Sequence, residues 1–326
     1  MARMLFVLAW VVSALAEPEE CPLLQTSRSM DGSSGTHIPN GPTDGLDVLD
    51  SQEWAGAAVA LSLSASVYMD RSHTEGIGRV LAEVEETQPE TGAEFLLARV
   101  VRTADGKCWI AFRGTANDAG WEANLAAINA WSPVTEEQVL IPTSWLEGYK
   151  LMEDGLKQAI QQAYQDGDCS PDNVYITGHS LGGVLASYAA ALDLVGKDGH
   201  HAKCVMTAGS PRPWVATGSQ CADLSTKLLP SCNIRFVLYS ASNPEAWDLV
   251  PALAPYVPAW GWYPKWRHCA SKNIGLYAKN ASSTSNGVMQ LADGNGPVSF
   301  LNADVNLHSI LAYLTAVTEN AKLKAA

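Results

Sequence analysis

The sequence predicts an α/β fold, a mostly parallel central sheet with helices on both faces, because strand-length apolar runs alternate with helical stretches across most of its 326 residues. Several of these runs are apolar throughout, as befits strands covered on both sides. Trp54 to Tyr68 is a small-residue apolar stretch of helical length, and Glu94 to Thr103 reads as a strand running into an Asp105-Gly106 turn. The next strand, Cys108 to Phe112, ends at Arg113-Gly114-Thr115. A helix is expected from Gly148 to Tyr164, a strand from Val174 to Thr177, and a helix from Leu181 to about Val195. Strands at Cys204 to Ala208 and Ile234 to Tyr239 continue the alternation, and a helix from about Asn306 to Lys322 closes the chain. No internal repeat and no second-domain linker is visible.

Composition narrows the classes. With 47% hydrophobic and 17% charged residues, the chain has material for one large core and is not disordered as a whole. Met1-Ala2-Arg3, the apolar run Met4 to Val12 and the small-residue end Ser13-Ala14-Leu15-Ala16 read as a signal peptide over residues 1–16. The run is far shorter than the roughly 20 residues that span a bilayer. Residues 17–50, rich in Pro, Gly, Ser and Asp, are expected to form an extended arm or propeptide, with the folded domain over 51–326. The reading is therefore a secreted, extracellular protein with no transmembrane segment. The acceptor sequence Asn280-Ala281-Ser282 adds weakly to it. Seven cysteines in an oxidising compartment permit up to three disulfides with one left over. Spacing does not give their pairing, and Cys108 and Cys204, inside apolar runs, read equally well as small core residues. A net charge of −13 speaks against a nucleic-acid partner, which requires a basic face. No CxxC pair or His-rich cluster suggests a metal.

Gly178-His179-Ser180-Leu181-Gly182 is a G-x-S-x-G match in a setting that gives it meaning. An apolar strand enters it and an Ala-rich helix leaves it, the strand–turn–helix context of the nucleophile elbow in an α/β-hydrolase fold. Ser180 is the candidate nucleophile, held near the N-terminus of a helix whose partial positive charge favours a developing anion. A serine hydroxyl needs a base and an acid to orient that base, and in this fold they follow the serine in the order acid, then histidine. Of the later histidines, His200 and His201 fall in a loop on the far edge. His308 is preferred to His268 because it stands where a loop can aim it at Ser180. Asp248, just beyond the strand Ile234 to Tyr239, is the candidate acid, with Glu245 as the alternative; Asp223 precedes that strand and belongs to the opposite edge. No cofactor is required, because proton transfer and oxyanion stabilisation come from the chain itself.

Six motifs fall in the order seen in the fungal-type class 3 lipases, which the chain resembles from about Ser51 to the C-terminus. They are Arg113-Gly114-Thr115, Gly148-Tyr149, Thr177 to Gly183, Gly209-Ser210-Pro211-Arg212, Asp248 to Pro251 and His308. The resemblance implies a triad of Ser180, Asp248 and His308, and an oxyanion hole from Thr115 and the backbone N–H of Leu181. It also implies a lid after Thr115, with Trp121 and Leu125 as its large apolar groups. The chain departs from the family pattern at Trp145-Leu146-Glu147-Gly148-Tyr149 and at Leu249, where a proline is usual after the aspartate. His268 resembles a histidine the family keeps for structural reasons.

The substrate is read less directly. Beside Trp121 and Leu125 the lid segment carries Asp118, Glu122 and two asparagines, a modest apolar face. Between Asp248 and His268, Tyr256, Val257, Trp260, Trp262, Tyr263 and Trp266 either line an acyl or aryl pocket or pack a loop onto the core. The expectation is a triacylglycerol lipase or related lipid acyl hydrolase, acting on a lipid or small ester. An esterase for soluble or aryl (feruloyl-type) esters is the first alternative, and a catalytically dead lipid-binding homologue the second.

Overall fold

The computed structural model describes residues 46–87, 94–114, 131–133, 139–192, 202–240, 247–248, 250–252, 265–278, 288–290 and 303–325. The chain divides into two units, Met1–Ile38 and Pro39–Ala326. All described residues belong to the second, so the expected signal peptide and nearly all of the arm lie outside them.

Helix α1 (Ser51–Ser66) starts where a capping box sets it. Asp50 accepts from the Glu53 N–H at 2.8 Å, and the Glu53 carboxylate accepts from the Asp50 N–H at 2.9 Å. Its small residues let it lie close to the sheet. Thr177 donates to the Ala60 carbonyl at 3.2 Å and sits 2.9 Å from the Ser64 hydroxyl. This pins the helix to the strand that leads to Ser180. A short α2 (Arg71–Glu75) follows, then β1 (Gly78–Thr87), β2 (Glu94–Thr103) and β3 (Cys108–Phe112), paired antiparallel. Next come β4 (Trp131–Pro133), β5 (Leu140–Pro142), α3 (Thr143–Gln165), β6 (Val174–His179), α4 (Leu181–Ala191) and β7 (Cys204–Ala208). The chain continues through β8 (Trp214–Ala216), α5 (Gly218–Lys227), β9 (Cys232–Ser240), β10 (Trp247–Asp248) and β11 (Lys265–Arg267). It ends with β12 (Lys272–Ala278), β13 (Val288–Gln290), β14 (Ala303–Asp304) and α6 (Ile310–Ala325).

The larger sheet runs β1-β2-β3-β6-β7-β9-β10-β14, with β12 also pairing β9 and β13 pairing β12. Its centre, β3-β6-β7-β9-β12, is parallel. Alternate side chains go to opposite faces and build two cores. Ile110, Phe112, Val174, Ile176 and Val205 pack under α3 and α4, while Trp109, Ala111, Met206 and Ala208 pack under α1 and α6. The fold class expected from sequence is the one observed. A smaller antiparallel sheet, β11-β8-β5-β4, was not foreseen, because its strands are only three residues long. Strand β1 was also missed, since its Arg79, Glu83 and Glu85 dilute the apolar signal on an edge strand. Several boundaries move: α1 begins three residues earlier than expected and α3 five, α4 ends at Ala191, and α6 begins at Ile310 rather than near Asn306.

Cys108 pairs with Cys169, Cys204 with Cys232 and Cys221 with Cys269. Cys108 and Cys204 are thus bridged as well as buried, because the register places Cys204 directly opposite Cys232 on the neighbouring strand and Cys169 beside the start of β3. The seventh cysteine, Cys21, lies outside the described residues.

The Cys108–Cys169 bridge closes a separation of 61 residues, so replacing both with Ala should lower unfolding free energy by about 2–4 kcal/mol. Equilibrium urea denaturation of the double variant against the parent measures this; an unchanged midpoint would show that the bridge does not constrain the unfolded chain.

Candidate active site

Ser180 is the single residue between β6 and α4, with φ 59° and ψ −134°, a region that side chains other than glycine avoid at a cost of about 1–3 kcal/mol. The surroundings over-determine it. The Ser180 N–H donates to the Ala208 carbonyl on β7 at 3.0 Å, and the Gly183 N–H donates to the Ser180 carbonyl at 2.9 Å. A Cβ on Gly178 would lie 2.1 Å from the Gly182 carbonyl oxygen, and one on Gly182 would lie 2.4 Å from that of Phe112. Both motif glycines are therefore required by backbone contact. Ser180 is buried, and its hydroxyl has no hydrogen-bond partner among the described residues. Leu181 is the first residue of α4, so its N–H belongs to the turn of amides that a helix leaves without intrahelical acceptors, beside the nucleophile candidate.

Asp248 ends β10 and is fully buried. A buried carboxylate needs donors, and among the described residues it has three. Oδ1 accepts from the Val250 N–H at 2.9 Å, and Oδ2 accepts from His308 Nδ1 at 2.8 Å and from the Tyr313 hydroxyl at 2.6 Å. His308 closes the 3-10 turn Val305–His308, just before α6 rather than at its first residue. The turn releases the ring from the helix and aims it at the sheet edge. Tyr313, on α6, also accepts from the Leu238 N–H at 3.1 Å, which commits its own proton to Asp248. Burial first, then the neighbouring Asp248 charge, pushes the Tyr313 hydroxyl pKa well above its ordinary value, so it remains a donor.

Gly209 follows β7 at φ +58° and binds the Phe236 carbonyl through its N–H at 3.1 Å. A Cβ there would meet His308 at 2.8 Å and Asp248 Oδ2 at 3.1 Å. Since Ser180 is hydrogen-bonded to Ala208, the nucleophile candidate and the His308–Asp248 pair flank two consecutive residues of one strand end. On the other side, the His179 ring stacks on His308 with centroids 4.5 Å apart.

His268 does not join this group. It is buried with Nε2 3.2 Å from the Pro251 carbonyl, and burial followed by the charges of Arg235 and Arg212 holds its pKa well below 6.5. Arg235, buried on β9, donates to Asn273 at 3.2 Å, and burial together with the Arg212 charge lowers its pKa to about 9. Thr115, Trp121, Leu125, Glu245, Leu249, His200 and His201 lie outside the described residues, as do the aromatics from Tyr256 to Tyr263. Tyr68, His179, Tyr313 and Gly209 carry contacts that sequence reasoning did not assign. His179 and Gly209 stood inside quoted motifs, whereas nothing in the sequence marks Tyr68 or Tyr313. No group of three His, Cys, Asp or Glu among the described residues is arranged to hold a metal, and no described helix is long and apolar enough to cross a membrane.

The sequence model of the lipase (class 3) family matches residues 109–240, from β3 through the serine elbow to the end of β9. That segment is similar to the class 3 lipases. The match marks the chain as a serine ester hydrolase. Comparison with curated proteins finds no match. Among solved structures, the native Rhizomucor miehei lipase propeptide complex aligns with TM-score 0.55 and 20% identity over 80% of each chain. The Rhizomucor miehei triacylglyceride lipase aligns at 0.54 and 19%, over 80% of this chain and 94% of that one. The lipase of Rhizopus microsporus var. chinensis aligns at 0.51 and 17%, over 79% and 84%. At these identities the likeness establishes the fold, the α/β-hydrolase fold of fungal lipases.

Gly209→Ala should displace His308 or Asp248 and lower kcat/KM for p-nitrophenyl butyrate by about 100-fold. Retention of full activity would show that the ring and carboxylate do not act from the positions seen. Tyr313→Phe removes one donor from Asp248 and should lower kcat by about 10- to 100-fold, equivalent to roughly 1–3 kcal/mol. A circular dichroism melt of each variant separates this loss from unfolding.

Proposed function

We propose that this chain is a secreted triacylglycerol lipase or related lipid acyl hydrolase, with Ser180 as nucleophile, His308 as general base and acid, and Asp248 as the carboxylate that orients His308. The observation that carries the reading is the 2.8 Å contact between His308 Nδ1 and the buried Asp248 Oδ2, at the strand edge where the elbow presents Ser180. A hydrogen bond at Nδ1 fixes the tautomer that leaves Nε2 as the base.

In this mechanism Ser180 Oγ attacks the ester carbonyl while His308 Nε2 takes its proton. The Leu181 N–H and Thr115 donate to the resulting oxyanion. Each such donor is worth about 3 kcal/mol when removed singly. Collapse of the tetrahedral adduct expels the alcohol, protonated by His308, and leaves an acyl-enzyme that water resolves through the same two steps. Asp248 holds the imidazolium through its Nδ1 hydrogen bond, and Asp248 is itself held by hydrogen bonds from Val250 and Tyr313. Lipid as substrate is supported by the family and by the fold this chain shares with the triacylglyceride lipase of Rhizomucor miehei.

The test is hydrolysis of emulsified triolein and of p-nitrophenyl butyrate by the mature chain and by its Ser180→Ala variant. Activity on both that falls by at least about 10⁴-fold in the variant is the expected result. Activity on butyrate or feruloyl esters alone would replace the lipase reading with an esterase for soluble substrates. Failure of a fluorophosphonate probe to label Ser180 would sink the nucleophile assignment.

A further inference from the structure

Tyr68 lies two residues past the end of α1, and its hydroxyl touches two parts of the site at once. Its oxygen accepts from the Gly114 N–H at 3.0 Å, in the backbone that leads from β3 to Thr115. The same oxygen lies 3.2 Å from His179 Nδ1 and 3.4 Å from the His179 carbonyl. With the Gly114 amide directed at the oxygen, the one hydroxyl proton has two acceptors in reach, the His179 carbonyl and, in the ring tautomer protonated at Nε2, His179 Nδ1. An imidazole that accepts at Nδ1 carries its proton on Nε2 and is neutral. That ring lies against His308, 27° from parallel.

We propose that Tyr68 and His179 are positioning residues for ester hydrolysis: the Tyr68 hydroxyl locks His179 as a neutral floor beneath His308 and ties that floor to the turn entering the oxyanion hole. The proposal rests on the triad reading given above. When His308 takes the Ser180 proton it becomes a cation, and a second cation stacked at 4.5 Å would oppose the transfer. Occupying Nδ1 prevents that second charge.

The groups around His179 act in the same direction. Tyr68 and Tyr313 present ring edges to it at 6.0 and 5.9 Å, and His308 covers one face with Asp248 on its far side. Arg113 stands over the Tyr68 ring at 5.7 Å. Burial, followed by the His308 charge, keeps the His179 pKa well below 6.5. The Gly114 contact extends the role to geometry. One hydroxyl joins His179, the ring that lies against His308, to Gly114 just past the end of β3.

The experiment compares kcat, KM and the acidic limb of the kcat/KM–pH profile on p-nitrophenyl butyrate for the mature chain, Tyr68→Phe, His179→Phe and the double variant. Tyr68→Phe frees Nδ1, so kcat should fall between about 10- and 100-fold with KM within about twofold. Its acidic limb should move to higher pH and steepen as His179 gains a proton. His179→Phe keeps a ring but has nothing to titrate, so adding Tyr68→Phe should leave the limb where it was. A parental profile in Tyr68→Phe overturns the proposal, as does the same displaced limb in the His179→Phe background. Should Tyr68→Phe fail to fold by thermal melting, His179→Gln decides: it keeps an acceptor for the hydroxyl but has no ring. A loss of about tenfold in kcat then supports the floor, and an unchanged kcat overturns it. A parent chain that neither hydrolyses esters nor labels with fluorophosphonate overturns this proposal together with the triad reading. An active parent with indifferent variants overturns this proposal alone.

Discussion

At the serine elbow the backbone of α4 doubles back on β6 and β3 with no side chain between them, and the rest of the site is organised around that approach. The carbonyls of Gly182 and Phe112 stand where Cβ atoms of Gly178 and Gly182 would have to be. Only because those positions are empty does the chain turn within one residue and place Ser180 at the strand end, directly before the amides that open α4. The strain of a serine at positive φ is held by bonds on both sides, to Ala208 and from Gly183. A looser turn would relieve the strain and move Ser180 away from the strand end that it shares with His308 and Asp248.

The carboxylate poses the opposite problem, a strongly polar group where water does not reach. Asp248 meets it with donors from three elements: the Val250 amide just after β10, His308 in the turn before α6, and Tyr313 within α6. The final helix is therefore part of the candidate site as well as a cover for one face of the sheet, because its Tyr313 also accepts from the Leu238 amide of β9. Buried Arg235, on the same strand, lies within electrostatic reach of Asp248. The polar groups of this region form one connected set, and loss of one leaves another unpaired in a medium of low dielectric.

Covalent bracing and chemistry occupy opposite ends of the parallel strands. Cys108, Cys204 and Cys232 stand at the starts of β3, β7 and β9, whereas Ser180 and Gly209 follow the ends of β6 and β7. The bridged edge is constrained even in the unfolded chain. The other edge is left to loops, which are free to differ in shape and to carry specificity.

The sequence by itself determined the parallel core, the elbow and the identities of Ser180, Asp248 and His308 as candidates. Those signals are local: apolar runs of strand length, glycines at fixed offsets from a serine, and a chain order shared by a fold class. It could not determine the cysteine pairing, which depends on the register that sets Cys204 opposite Cys232. Nor could it mark the three-residue strands of the small sheet, too short to show a period. Tyr68, His179 and Tyr313 were beyond it for a deeper reason. Tyr68 meets His179 across 111 positions, and Tyr313 meets Asp248 across 65. Contacts at such separations exist only after α1 and α6 have packed on one face of the sheet, so tertiary structure alone decided which hydroxyls meet His179 and Asp248.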